Sequence, residues 1–322
     1  IVAPPHGSML PMSPVRKNIL MVACALGLLI PVVIIFICEN MNTRVRGRKD
    51  LESVTVPFIG EIPLFTRKKK GIFRKKPQEV RAIVVKEGSR DIINEAFRVL
   101  RTNLEFMTGK DKASNVIIVT SFNPGSGKSF LTMNIAVSFA IKGKKVLVID
   151  GDLRHGSASS YIDSPTKGLS DYLGGRIDNL NEIIVTNPKQ KYLDILPVGT
   201  IPPNPTELLF DDRLKQVIDT VREQYEYVLI DCPPIELVAD TQIIEKLADR
   251  TIFVVRAGLL ELSMLAELEK IYGEKKYKNM SLILNGTEGS GGRYGYRYGY
   301  RYGYHYGYGS EYHYGSDEKY IE

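Results

Sequence analysis

A chain of 322 residues with 43% hydrophobic and 25% charged side chains has globular composition and room for one large domain plus extra segments. Its net charge of +6 does not describe a nucleic-acid-binding domain, because 13 basic and 4 acidic side chains lie between Asn40 and Lys86 and the remainder is slightly acidic. Cys24, Cys38 and Cys232 are isolated, with no CxxC spacing, which argues against a disulfide framework or a zinc site and makes Cys232 a small packing residue.

The sequence begins mid-phrase with IVAPPHGSML and reads as the C-terminal part of a longer protein. Residues 1–16 form a Pro-rich extended segment. Residues 17–38 include an uncharged run from Ile19 to Cys38, long enough for a transmembrane helix, and Pro31 is tolerable within one. Basic residues follow this run more densely than they precede it, so the positive-inside rule places everything after Cys38 in the cytoplasm. Residues 39–90 form a basic juxtamembrane linker with RKKK at Arg67 to Lys70. Each Lys or Arg near an anionic leaflet is worth roughly 1 kcal/mol, so the linker either lies along the membrane or is a solvated charge run.

A cytoplasmic domain is expected over 91–286. It opens with helical apolar spacing from Asp91 to Met107, which also carries Glu95, Arg98 and Arg101 along roughly one face. Spacing alone makes these three an ordinary charged face. Next comes VIIVTSFNPGSGKS, Val116 to Ser129: a buried β-branched strand, a loop with Pro124, Gly125 and Gly127, then Lys128-Ser129 opening a helix from Phe130 to about Lys142. Such a loop cradles phosphates on backbone N–H groups and the helix N-terminus, with Lys128 on the β/γ pair and Ser129 on Mg²⁺. The common pattern has Gly where this chain has Phe122. A second strand, KVLVIDGD, ends in Asp150 and Asp152 with Arg154 beyond, and a third, YVLIDCPP, ends in Asp231. Ligands of open α/β sheets bind beyond the carboxyl ends of strands, so the three sites converge on one crevice. Phosphoryl transfer needs these groups: donors for the phosphates, Ser and Asp for a metal, and a carboxylate to orient the nucleophile.

The rest keeps a β/α rhythm: a short helix near Leu169 to Leu173, a strand Leu193 to Val198, a helix opened by IPPNPTELL with Asn204 as cap and running to about Arg222, a helix near Thr241 to Leu247, a strand Thr251 to Arg256, a helix near Glu261 to Tyr272 and a strand Ser281 to Leu284. The fold class is therefore α/β, a P-loop NTPase-like, mostly parallel sheet covered by helices on both faces, preceded by one transmembrane helix and followed by a disordered tail. His155 reads as a solvated loop histidine. Residues 287–322 cannot build a core: they alternate Tyr and Gly and hold 11 of the 18 tyrosines, at 294, 296, 298, 300, 302, 304, 306, 308, 312, 314 and 320. Single-stranded nucleic-acid binding by stacking and self-association are alternatives for such a tail.

SFNPGSGKS, VLVIDGDLR and VLIDCPP resemble the Walker A, A′ and B motifs of the bacterial tyrosine kinases. That family's loop carries Pro early, as Pro124 does here. EAFRVLRTNL resembles its self-association helix, in which Glu95, Arg98 and Arg101 would pair with the next subunit of a ring. VPFIGEIPLF (56–65) resembles the element before its kinase domain, and the Pro-rich lead resembles the end of a chain-length-determinant domain.

The resemblance implies ATP and Mg²⁺ as cofactors. Asn123, Pro124, Gly125, Ser126, Gly127, Lys128, Ser129 and Phe130 would hold the nucleotide, and Ser129, Asp152 and Asp231 the metal. Lys128, Asp150, Asp152, Asp231 and Arg154 would form the catalytic group, with Asp150 accepting the tyrosine proton. It also implies a tyrosine autokinase phosphorylating Tyr294, Tyr296, Tyr298, Tyr300, Tyr302, Tyr304, Tyr306, Tyr308, Tyr312, Tyr314 and Tyr320 between subunits. The expected setting is the inner membrane of a Gram-negative bacterium. The expected partners are a homo-oligomeric ring, the membrane, a cognate phosphatase and the polysaccharide export machinery, with no nucleic acid. A partition or division-site switch ATPase is the runner-up, although its signature lysine falls at Asn123. A nucleic-acid-binding membrane protein rests on the tail alone.

Overall fold

The computed structural model describes residues 16–40, 42–65, 82–108, 115–236 and 239–288. The tail tyrosines, residues 1–15 and all of the RKKK run lie outside them. Helix α1, Arg16–Asn40, is long and apolar enough to cross a bilayer, with Pro31 inside it and large apolar side chains exposed along its length.

Eight strands make one sheet in the order β1-β8-β7-β2-β6-β3-β5-β4. They are β1 (Phe58–Pro63), β2 (Val116–Thr120), β3 (Val146–Asp150), β4 (Val185–Thr186), β5 (Leu193–Leu196), β6 (Tyr227–Asp231), β7 (Arg250–Arg256) and β8 (Met280–Thr287). All pairings are parallel except β4 with β5. The central strands are apolar on both faces, as a covered parallel sheet requires. In β2, Val116 and Ile118 enter one core while Ile117 and Val119 enter the other.

One face is covered by α2 (Ile92–Thr108) and α3 (Lys128–Ala140), the other by α4 (Leu169–Leu173), α5 (Pro205–Leu209), α6 (Asp212–Gln224), α7 (Asp240–Glu245) and α8 (Met264–Gly273). Phe97, Leu100 and Leu104 of α2 are fully buried at helical spacing, each worth about 1.5–3 kcal/mol. Asp91 sets where α2 begins: its Oδ1 accepts from the Asn94 N–H at 2.9 Å, the geometry of an N-cap.

Part of the expected linker is folded into this unit. β1 pairs with β8, and Val45, Leu51 and Val56 join the core. Residues 43–45 bond to 258–262. Val84 and Val85 donate to the buried Asn134 side chain. The cause lies in the sequence: the apolar residues of FIGEIP offer a sheet edge that the basic residues around them obscure.

A second departure concerns the helix expected from Pro205 to about Arg222. It divides in two because Asp211 has extended backbone and its Oδ1 accepts from Arg213 N at 2.8 Å, capping α6 anew. Asn204 does not cap α5 through its oxygen; its amide donates to Glu207 at 2.6 Å.

Candidate active site

Strands β2, β6 and β3 lie side by side, with Val119 opposite Asp231 and Asp231 opposite Asp150. Their carboxyl ends therefore bring the three sequence motifs to one rim. After β2 the chain turns through Pro124 and Gly125 to Gly127, whose φ of +86° precedes the first turn of α3. Phe122 explains the missing early glycine. It is buried and packs edge-on against Phe253, ring centroids 4.9 Å apart, so the loop is anchored by a ring rather than folded tightly at that point.

The loop is held from both sides. Ser121 and Ser126 hydroxyls donate to the Asn123 carbonyl at 2.8 Å. Asn285, on β8, donates to the Ser126 carbonyl at 2.8 Å. A Cβ on Gly127 would come 2.2 Å from the Asn285 amide nitrogen, so side-chain bulk is excluded there as well as by φ. Lys128 is buried, with Nζ 3.4 Å from the Ser121 hydroxyl. Asn123 donates to Glu236 at 3.2 Å.

The carboxylates differ in their surroundings. Asp150 is fully buried; Oδ2 accepts from Ser159 N and Oγ, both at 2.6 Å, while Oδ1 has no partner. Burial first and the neighbouring Asp231 second push its pKa up to about 8. Asp231 is also buried with Oδ1 unpartnered, and burial pushes it up to about 6 against the opposing pull of a Ser129 hydrogen bond and the Lys128 charge. Asp152 accepts the N–H groups of Arg154 and His155 at 3.2 Å. Asp150 and Asp231 each leave a buried oxygen without a partner and burial disfavours their ionised forms, so the donor set fits a hard divalent ion that would supply positive charge there.

Among the described residues no cluster of three or more His, Cys, Asp or Glu side chains forms a protein-only metal cage. Mg²⁺ commonly takes one or two carboxylates and completes its shell with phosphate oxygens and water. Ser129, Asp152 and Asp231 suit that pattern.

Two arginines sit elsewhere than their motifs suggest. Arg154 points away from the carboxylates: Nε meets buried Asp240 at 3.1 Å and Nη2 donates to Thr206 at 2.9 Å, while Thr206 donates to Asp240 at 2.6 Å. Arg101 is turned into the chain, donating to the Ser138 carbonyl and hydroxyl at 2.8 and 3.1 Å, whereas Glu95 and Arg98 pair with each other at the surface. Cys232 is buried in the core below the site, and burial raises its thiol pKa well above the ordinary value. His155 is exposed, beside Asp152.

Sequence reasoning missed Asn285, Ser159 and the Thr206–Asp240 pair. Only Asn285 carried a signal, as a lone polar residue at the carboxyl end of an apolar strand.

Residues 114–282 match the AAA domain family model. The tyrosine-protein kinase YwqD of Bacillus subtilis is 35% identical over 209 residues, which cover 65% of this chain and 87% of that protein. The chain belongs to the bacterial tyrosine kinase family. The kinase domain of the Escherichia coli tyrosine kinase ETK superposes with a TM-score of 0.66 at 29% identity, covering 82% of this chain and all of that one. A Klebsiella pneumoniae relative whose name places it in a cps region is 29% identical over 252 residues, 76% of this chain and 34% of that protein. The chain spans 38% of the length of the EpsB proteins of Ralstonia that it matches.

Proposed function

We propose that this chain is an ATP-dependent protein tyrosine autokinase. The observation that carries the reading is the meeting of the phosphate loop, Asp150, Asp152 and Asp231 at adjoining strand ends. The loop amides and Lys128 bind the phosphates of ATP, and Ser129, Asp152 and Asp231 hold Mg²⁺. The ion supplies positive charge against the phosphates when bound. A tyrosine hydroxyl oxygen forms a bond to the γ-phosphorus as the bond to the β–γ bridging oxygen breaks, leaving ADP. Asp150, in the ionised form that bound positive charge would favour over the protonated form of the ligand-free chain, takes the tyrosine proton on Oδ1, which is unpartnered while Oδ2 is held by Ser159. Tyrosine is neutral at pH 7, with a pKa of about 10, so a carboxylate that takes its proton late in transfer suits the reaction.

The acceptors are the tail tyrosines from Tyr294 to Tyr320, which lie outside the described residues. Phosphorylation runs between subunits of a ring, with Glu95 and Arg98 on the contacting face; Arg101 supports that face from inside. α1 anchors the chain in the inner membrane with the kinase domain cytoplasmic, and the reaction regulates polysaccharide polymerisation and export, reset by a phosphatase. The cps-region relative supports this setting. Each phosphate adds about −1.5 to −2 charges, so a fully modified tail pushes subunits apart.

The test is intact mass of the cytoplasmic part after incubation with ATP and Mg²⁺, beside Lys128→Met. The reading predicts a ladder of phosphate additions mapping to the tail and absent from the variant. ATP consumption without added mass would make the chain a switch ATPase instead.

A further inference from the structure

The connection between β5 and α6 runs along the same rim as Asp150, because β5 adjoins β3. It carries two large apolar side chains that the fold does not cover: Ile201 is 60% and Phe210 65% exposed. Their neighbours Pro205 and Leu209 are buried, so the segment is firmly seated and its exposure is not fraying. Thr206 fixes it to the site by bonding Arg154, two residues beyond Asp152. Phe210 follows Thr206 by four residues in helical backbone, and side chains so spaced lie on one face about 5–6 Å apart. An exposed phenyl ring thus stands one helical turn from the group that grips the Asp152 loop.

The exposed charged side chains nearest the ring in the chain are acidic. Glu207, Asp211 and Asp212 are exposed, whereas the nearby arginines are engaged, Arg154 with Asp240 and Arg213 with Asp178. The chain itself contains a segment complementary to this surface. Residues 293–304 read RYGYRYGYRYGY, alternating aromatic rings with Arg293, Arg297 and Arg301 and carrying no acid. Residues 289–322 number 34, and at about 3.3 Å per residue they reach up to about 110 Å from the end of β8. Reach therefore does not limit which copy supplies the segment.

We infer that Phe210 and Ile201, rimmed by Glu207, Asp211 and Asp212, form the docking ledge for the Arg-Tyr-Gly-Tyr repeats of the tail. Rings of the repeat pack on the apolar pair and its arginines face the acids, leaving a neighbouring tyrosine at the Asp150 rim. This rests on the kinase reading and adds the substrate-recognition surface of the same site. Tyrosine density alone does not make a substrate on this account; arginine spacing does.

The test uses full-length chains in detergent, with the Lys128→Met chain as phosphate acceptor. Phe210→Ser in the kinase is expected to raise the KM for the acceptor about fivefold or more, with the effect absent from the KM for ATP. Glu207→Lys with Asp212→Lys is expected to do the same for the native acceptor. That pair should regain activity on an acceptor carrying Arg293→Glu, Arg297→Glu and Arg301→Glu. An unchanged acceptor KM in both kinases, or a charge-reversed acceptor used as well as the native one by the wild-type kinase, would overturn the ledge and leave the kinase reading standing. No transfer to the native acceptor by the wild-type chain would overturn both.

Discussion

Asn285, near the carboxyl end of β8, donates from Nδ2 to the Ser126 main-chain carbonyl at 2.8 Å and braces the phosphate loop from two strands away. The same amide lies where a Cβ on Gly127 would stand. Loop shape and strand β8 are thus fitted to one another.

Asn285→Ala leaves the buried Ser126 carbonyl without its donor, at a cost of about 1–3 kcal/mol. The loop loosens, so ATP binding measured by calorimetry should weaken by about fivefold or more. Asn285→Asp should do no better, since a carboxylate cannot donate.

The Asp150–Asp231 pair makes the ligand-free chain sensitive to alkali. Both carboxyls hold their protons more tightly in the folded chain than in the unfolded one, Asp231 up to about 6 and Asp150 up to about 8. The folded state binds the extra protons, so their contribution is full below the unfolded pKa and is lost as pH rises through the folded values. The melting temperature should therefore fall from about pH 4, near the unfolded pKa of an aspartate, up to about pH 8 through this pair, and Asp150→Asn should flatten the fall and raise the melting temperature at the upper end. Mg²⁺ favours the ionised forms, so its binding should release protons.

Arg101 and its neighbours on α2 separate stability from association. Arg101→Ala removes two hydrogen bonds to Ser138 from a buried guanidinium site and should lower unfolding stability by about 1–3 kcal/mol in urea melts. Glu95 and Arg98 lie at the surface as an i,i+3 pair. Reversing both charges should leave the urea midpoint within the effect of an exposed pair, about 0.5 kcal/mol, while changing the sedimentation of the oligomer. The opposite pattern would remove α2 from the interface.

Asp91 caps α2 through Asn94 and also accepts from Ser89. These bonds, Asn94 foremost, hold its pKa below the usual value. Asp91→Ala should cost about 0.5–2 kcal/mol, an effect present above the unfolded pKa of the group and lost as pH falls through the folded one.

The alternating β/α order, the phosphate loop and the three carboxyl-terminal aspartates were legible in the sequence because each is local: an apolar run, then a polar residue where the strand must end. What was not legible is set across long separations. FIGEIP reads as a short element in a charged stretch until β8 offers it an edge. Arg154 and Arg101 look alike as motif arginines, yet one braces Asp240 and the other Ser138, partners 86 and 37 residues away. Ser159 holds Asp150 from a loop whose composition says only that it is polar. The break at Asp211 was locally available, since Asp-Asp-Arg before apolar helical spacing is a capping signal.

The central claim is that the γ-phosphate goes to tyrosine rather than to water. It is tested most directly by counting ADP and phosphotyrosine together in the first turnovers of the full chain with ATP and Mg²⁺, beside a chain ending at Gly291. The account predicts close to one phosphotyrosine per ADP in the full chain and a collapse of ADP formation when the tail is removed. ADP formed at an undiminished rate without the tail, and without phosphotyrosine, would contradict it.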